Sequence, residues 1–197
     1  MSTTAMAVRP ILRLGHPALR VPAKAVDVAH VGRGEIQDLI DDMIETMRAE
    51  SGVGLAAPQV GADLQLFVYE RHVDVEGSDP AYPDIPLRVV INPMVAPSSH
   101  EMVYDWEGCL SIPDLRGLVP RHHSVRVRGL DRAGRPTDFI AAGFEARIIQ
   151  HEFDHLNGVV FLDRMRDLRS LSFTDEWSRF LVNSRQEGER EEVAALG

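Results

Sequence analysis

Between residues 35 and 50 the apolar side chains Ile36, Leu39, Ile40, Met43, Ile44 and Met47 recur at i, i+3, i+4, i+7, i+8 and i+11. That spacing draws one stripe along a helix, with Glu35, Asp38, Asp41, Asp42 and Glu45 off it as a solvated face. The methionines of the stripe are therefore read as core. A second helix is predicted over about 143–156, where Phe144, Ile148, Phe153 and Leu156 give partial apolar spacing and Asn157-Gly158 supplies a stop. A third is predicted over 174–183. Apolar, β-branched and aromatic runs predict strands at 64–69, 87–91, 101–104, 124–129 and 139–142, with Asp131-Arg-Ala-Gly134 as a hairpin turn. Prolines and glycines mark 10–33 as an extended arm and 73–86 as a surface loop. Residues 105–109 show neither period. The sum is an α+β fold, antiparallel sheets packed around a central helix, the one over 143–156.

Length and charge narrow the class. The 197 residues suit a single domain, 1–197, closed by a polar acidic tail at about 186–197 that is expected to fray. Thirty acidic against 21 basic residues leave a net charge of −9, which argues against direct DNA binding, since phosphate neutralisation needs surplus Lys and Arg. The single cysteine, Cys109, excludes an intramolecular disulfide and fits a reducing compartment. The first ten residues lack the basic and apolar regions of a signal peptide, and no apolar run approaches the roughly 20 residues of a membrane span. A cytoplasmic protein without membrane contact is expected.

The candidate chemistry starts at residues 151–155, His-Glu-Phe-Asp-His. On a helix, i and i+4 share a face, so His151 and His155 reach one ion while Glu152 stands beside the first ligand. A catalytic site of this kind takes three protein ligands. The frame His-x-x-Gly-x-x-His fails, because Gly158 fits but Phe161 occupies the third histidine's place. Glu176 or Glu187 would make a metallopeptidase with an acidic third ligand. Cys109, in Glu107-Gly-Cys-Leu-Ser111, is the upstream candidate; a lone cysteine is ordinarily a small buried hydrophobe, yet sulfur with imidazole suits Zn or Fe(II). A fourth protein ligand would instead mean a closed, structural site.

Three segments, Gly52-Val-Gly-Leu-Ala-Ala-Pro-Gln59, Glu107-Gly-Cys-Leu-Ser111 and His151-Glu-Phe-Asp-His155, together resemble the peptide deformylase family over about residues 10–170. The resemblance implies a metal-dependent hydrolase that removes the N-formyl group from the N-terminal formylmethionine of nascent polypeptides and releases formate. It implies Cys109, His151 and His155 as metal ligands and Glu152 as general base. Gln59, through its side-chain amide, and Leu110, through its backbone N–H, become donors to the oxyanion. Gly54 and Val53 meet the peptide substrate, and Glu107 and Arg116 line the same region. One divalent ion is implied, with Fe(II) favoured and Zn, Ni or Co accepted by the same donors. The expected partners are N-formylmethionyl peptides and nascent chains. The basic run Arg164, Arg166 and Arg169 is followed by Glu187, Glu189, Glu191 and Glu192, a reversal of sign that opposes ribosome contact through the tail.

Several residues keep two readings. The Gly52–Gln59 stretch alone also fits a helix-ending turn, with Gly54 present for a positive φ. Arg147 either borders a methionine pocket or points to solvent. Asp154 is expected to pair with an arginine such as Arg121, and Trp106 packs beside the site or in the core.

Overall fold

A computed structural model describes residues 7–72 and 81–181. The fold mixes helices with antiparallel sheet. One sheet has five strands in the order β1 (Gly54–Ala56), β2 (Leu66–Arg71), β3 (Ile85–Pro97), β6 (Ser124–Leu130) and β7 (Pro136–Ala142). The other has three, β4 (Met102–Cys109), β5 (Ile112–His122) and β8 (Ser172–Phe173). Helix α1 covers Gly34–Ala49 and α2 covers Gly143–Leu156. Shorter turns are α3 (Phe161–Arg164) and α4 (Thr174–Glu176), the latter running into a π-helical turn, Trp177–Leu181.

Strands β1 to β3 of the five-stranded sheet are covered on both faces, while β6 and β7 expose the outer one, with Ile140 in solvent. Leu66 and Val68 of β2 join the α1 stripe of Leu39, Ile40, Met43, Ile44 and Met47 in one core. Phe67 and Tyr69, pointing the other way by the two-residue period, join Ala146, Ile149 and Leu156 of α2 in the second. A strand buried on both sides reads as a continuous apolar run, which is how β2 appears in the sequence. Each such side chain, fully withdrawn from water, contributes about 1.5–3 kcal/mol.

Helix α1 ends as its sequence suggests but with a different residue in the left-handed region. Ser51 takes φ 53°, and the Gly52 N–H donates to Met47 O at 2.8 Å. Gly54 has no positive φ; its reason is space, because a Cβ built there would lie 2.8 Å from Cδ of Glu152.

Some expectations need correction. The arm at 10–33 is not wholly extended: it contains 3-10 turns at Pro17–Arg20 and Val28–His30. It also stitches the site-bearing segments together, with Leu12 N–H donating to Gln59 O, Leu14 N–H to Ser111 O and Ala23 N–H to Leu156 O, each at 2.8 Å. The third helix is only the two short turns above, and its last predicted residues, like the tail at 186–197, lie outside the described residues. So do positions 73–80 of the expected loop, while Ile85 and Pro86 open β3.

The largest miss is the β4–β5 hairpin. Strand β4 continues to Cys109 and β5 was not anticipated, because the hairpin inverts the usual patterning. Glu107 and Arg121 are buried, while Met102 and Tyr104 are exposed. With charges buried beside Ile112 and Val119 and apolar residues exposed, hydrophobic alternation carries little signal there.

Candidate active site

Helix α2 sets three side chains at one place: His151 and His155 one turn apart and Glu152 between them, all buried. The Cys109 sulfur comes to them from the end of β4, where the chain reverses through Leu110 and Ser111 into Ile112. Sγ lies 3.2 Å from His155 Nε2. One donor atom from each of Cys109, His151 and His155 falls within 4.8 Å of the others. Among the described residues these three are the cluster that brings donors together this way; Glu176, the alternative third ligand, turns its carboxylate to Arg179 at 3.5 Å. Glu187 lies outside the described residues.

The donor set suits a cation. A thiol sulfur and two imidazoles match an ion of borderline softness, and Glu152 Oε2 and His155 Nδ1 are buried without a hydrogen-bond partner. His151 Nδ1 meets Glu107 Oε2 at 2.8 Å, which leaves Nε2 to face outward. Carboxylates that fix a ligating ring in this manner are a regular part of metal sites.

Behind the imidazoles runs a network of buried charge. Arg121 donates to both oxygens of Glu107 at 2.9 and 3.0 Å and to Asp154 Oδ2 at 2.6 Å. Arg147 Nη1 reaches Glu107 Oε1 at 2.8 Å and Val119 O at 2.9 Å, and Nη2 reaches Val103 O at 2.7 Å. Arg164 closes the far side on Asp154 at 2.6 Å. The expected Asp154–Arg121 pair is therefore present, and Arg147 does not point to solvent. Glu107 lines the cleft, but its oxygens are taken up by Arg121, Arg147 and His151, so it holds the histidine rather than offering a free carboxylate to a ligand.

The electrostatics follow from burial and from these partners. Burial alone would raise Glu107, yet the charge and hydrogen bonds of Arg121, with His151, hold it well below the usual carboxylate range. Burial pushes Glu152 up to about 7. For His151, burial is outweighed by Cys109 and Glu107, which hold it well above the ordinary value. His155 is driven well below it, first by burial and then by the positive charges of His151 and Arg121.

A cleft of about 590 Å³ opens in front of this cluster. Val53, Gly54, Gln59, Leu110, Arg116 and Glu152 all line it, as do Cys109, Glu107 and His151, while His155 stands deeper. Gln59 is nearly fully buried; its Oε1 accepts from Ala56 N–H at 2.8 Å, and its Nε2 lies 3.2 Å from Ser111 Oγ and 3.6 Å from the Cys109 sulfur. Trp106 also lines the cleft. Arg147, four residues before His151 on the same helix face, lines the cleft as well, so of its two readings the one facing solvent fails. Thr174 also reaches the cleft, from a segment whose pattern carries no signal for it.

A hydrolytic, metal-using enzyme is the class that such a cleft and donor set define. The model of the polypeptide deformylase family matches residues 8–170. Peptide deformylase 1 of Nitrosomonas europaea is 47% identical over 171 residues, covering 85% of this chain and 93% of that protein. Peptide deformylase 2 of Pseudomonas putida is 43% identical over 173 residues, with the same coverage. Among solved structures, the class I type b peptide deformylase of Acinetobacter baumannii with Met-Ala-Ser bound matches at 36% identity and a TM-score of 0.74, over 81% of this chain and 99% of that one. The Synechococcus elongatus peptide deformylase in complex with actinonin matches at 38% identity and 0.71, over 86% and 85%. The chain belongs to the peptide deformylase family, hydrolases that remove N-formyl groups. No helix among the described residues is long and apolar enough to cross a membrane.

Proposed function

We propose that this chain removes the formyl group from N-formylmethionyl peptides and nascent chains at the cleft above α2, as one catalytic domain acting in the cytoplasm. The observation that carries the reading is the convergence of Cys109, His151 and His155 beside a buried carboxylate with an unpartnered oxygen, at the floor of an open cleft. In this reading α2 is the central helix that bears the metal motif, and Cys109, His151 and His155 hold one divalent ion, Fe(II) in preference to Zn, Ni or Co. When bound, the cation supplies Lewis acidity, polarising a carbonyl and making water nucleophilic at neutral pH.

The protein's own groups do the rest. Glu152 takes the proton of the attacking water and returns it to the leaving amine. As charge builds on the formyl oxygen, the Gln59 amide and the Leu110 backbone N–H donate to it. Gln59 is suited to this because its Oε1 is tied to Ala56 N–H, which fixes the orientation of the amide. Strand β1 is an edge strand, so Gly54, with Val53 beside it, offers backbone groups to an extended peptide. Glu107 orients His151, and Arg116 meets the peptide further along.

The test is anaerobic purification with metal analysis, followed by formate release from formyl-Met peptides. Glu152→Gln is expected to keep the metal and lose turnover by about a hundredfold or more. Cys109→Ser is expected to lose the metal. A Cys109→Ser protein with full metal content would end the assignment of the sulfur as a ligand, and a Glu152→Gln enzyme at wild-type rate would end that of the base.

A further inference from the structure

The family match stops at residue 170, but the cleft does not. The next residues form β8, which pairs with β5 through Arg116↔Ser172 and Leu115↔Phe173. The following turns bring Thr174 to the cleft wall and seat Trp177 against Trp106, ring centroids 6.0 Å apart in an edge-on arrangement. The guanidinium carbon of Arg116 lies 4.4 Å from the centroid of Trp177. The indole Nε1 of Trp177 is buried without a hydrogen-bond partner, so the ring is held by its stacking neighbours rather than by a polar contact.

Two arginines line the cleft without an ion pair among the described residues, Arg13 and Arg116, and of these Arg116 lies over an aromatic ring. Arg48, Arg121, Arg126, Arg132 and Arg164 are each ion-paired. The Arg116 guanidinium, among the described residues, has neither a carboxylate nor a hydrogen-bond partner. Asp114, two residues away and also on the cleft wall, does not pair with it. A guanidinium laid on an aromatic face is fixed in direction while the N–H groups at its edge stay free to donate.

We propose that Trp177 is a positioning residue for substrate: it holds Arg116 flat so that the guanidinium donates to main-chain carbonyl oxygens of residues downstream of the formylated one. The proposal rests on the deformylase reading of the same cleft and extends it. It makes the enzyme a reader of peptide length, since a dipeptide ends before the Arg116 fork and a longer chain meets it. Because the contact is to backbone, it is indifferent to the identity of the downstream side chains.

The experiment compares kcat and KM for formyl-Met-Ala, formyl-Met-Ala-Ser and formyl-Met-Ala-Ser-Ala, all capped as C-terminal amides so that no terminal charge takes part. Wild-type kcat/KM is expected to rise with length. Trp177→Ala is expected to lose about tenfold of that gain, the worth of one hydrogen bond to a charged group, with the loss falling on KM. Trp177→Phe keeps a ring under the guanidinium and is expected to keep the gain. Arg116→Ala loses the gain, and the double variant loses no more than either single one, because both changes break one interaction. Phe180→Ala removes an exposed ring from the same segment and is the control expected to change neither parameter. Full length dependence in Trp177→Ala, or additive losses in the double variant, would overturn the proposal. Absence of formate release by the wild-type enzyme from every peptide would instead sink the underlying deformylase reading.

Discussion

The two sheets of this protein are stabilised by different means, the smaller one adding buried charge to a small apolar cluster of Ile112, Val119, Val160 and Phe161. Strands β1 to β3 of the five-stranded sheet lie between α1 and α2 with apolar side chains on both faces. The β4–β5 hairpin of the three-stranded sheet turns Glu107 and Arg121 inward, against Arg147 and Asp154, and leaves Met102 and Tyr104 exposed. The first arrangement is tolerant in kind, since any apolar group of similar volume serves. The second is not, because each buried charge is balanced by named partners, and removing one strands the others. The difference teaches where the catalytic geometry comes from: the imidazole of His151 takes its direction from the charged region, and the apolar region only fixes where α2 lies.

Removing Arg121 should break the comparison most severely. Arg121→Ala leaves Glu107 with Arg147 and His151, and Asp154 with the half-exposed Arg164. The expected loss is about 3–5 kcal/mol of stability. It should come with lower metal content, since Glu107 no longer holds His151 in one orientation. Urea unfolding and metal analysis of the purified holoenzyme measure both. In the apolar region, Ile40→Ala opens a cavity under α1 at a fully buried position, for an expected loss of about 3 kcal/mol. Here the folded fraction should keep its metal and its turnover. If Ile40→Ala lowered metal content as Arg121→Ala does, the separation of roles between the two regions would be wrong.

Gly54→Ala probes the seam where the regions meet. The added methyl group would stand 2.8 Å from Cδ of Glu152, on an edge strand. Overpacking of this kind costs about 1–3 kcal/mol, and Glu152 is the group that must move. Turnover should therefore fall more than stability does, as measured by formate release beside thermal unfolding of one preparation.

The same contrast explains what was legible in the sequence. Helix α1 and strand β2 bury apolar stripes, so periodicity located them, and the α2 motif was legible because its spacing is itself the geometry. The missing third ligand and the chain's single thiol make Cys109 a candidate partner of the histidines, and the resemblance to a known family adds the formyl substrate. Strand β5 was illegible because its buried positions Gly117, Val119 and Arg121 alternate with Leu118, Pro120 and His122, a pattern with no apolar face. The sequence leaves Arg147 open between cleft and solvent because an arginine becomes a buried residue only when its partners are known. Those partners, Glu107 and the carbonyls of Val103 and Val119, lie at least 28 residues away in the chain. Trp177 was missed for the same reason: its neighbours Trp106 and Arg116 belong to the hairpin that the pattern did not show.

A last and smaller effect concerns an ion pair at the border of the apolar region. Glu70, in β2, is buried, while its partner Arg48, in α1, is about half exposed, with Nε–Oε1 at 2.5 Å. His72 Nε2 approaches the other carboxylate oxygen at 3.2 Å. The hydrogen bond from Arg48, aided by its charge and by His72 against the opposing effect of burial, lowers the pKa of Glu70 below its ordinary 4.5. In the acid range the unfolded chain then binds the proton more readily than the folded one. The stabilisation is complete above about pH 4.5 and is lost as pH falls through the lowered value. Because Arg48 is screened by water, the pair should be worth less than about 1 kcal/mol. Arg48→Gln should therefore cost that small amount at pH 7 and nearly nothing at the acid end, with the two unfolding curves converging as pH falls. Curves that stay parallel across the carboxylate range would show that Arg48 acts through the packing of its stem and not through Glu70.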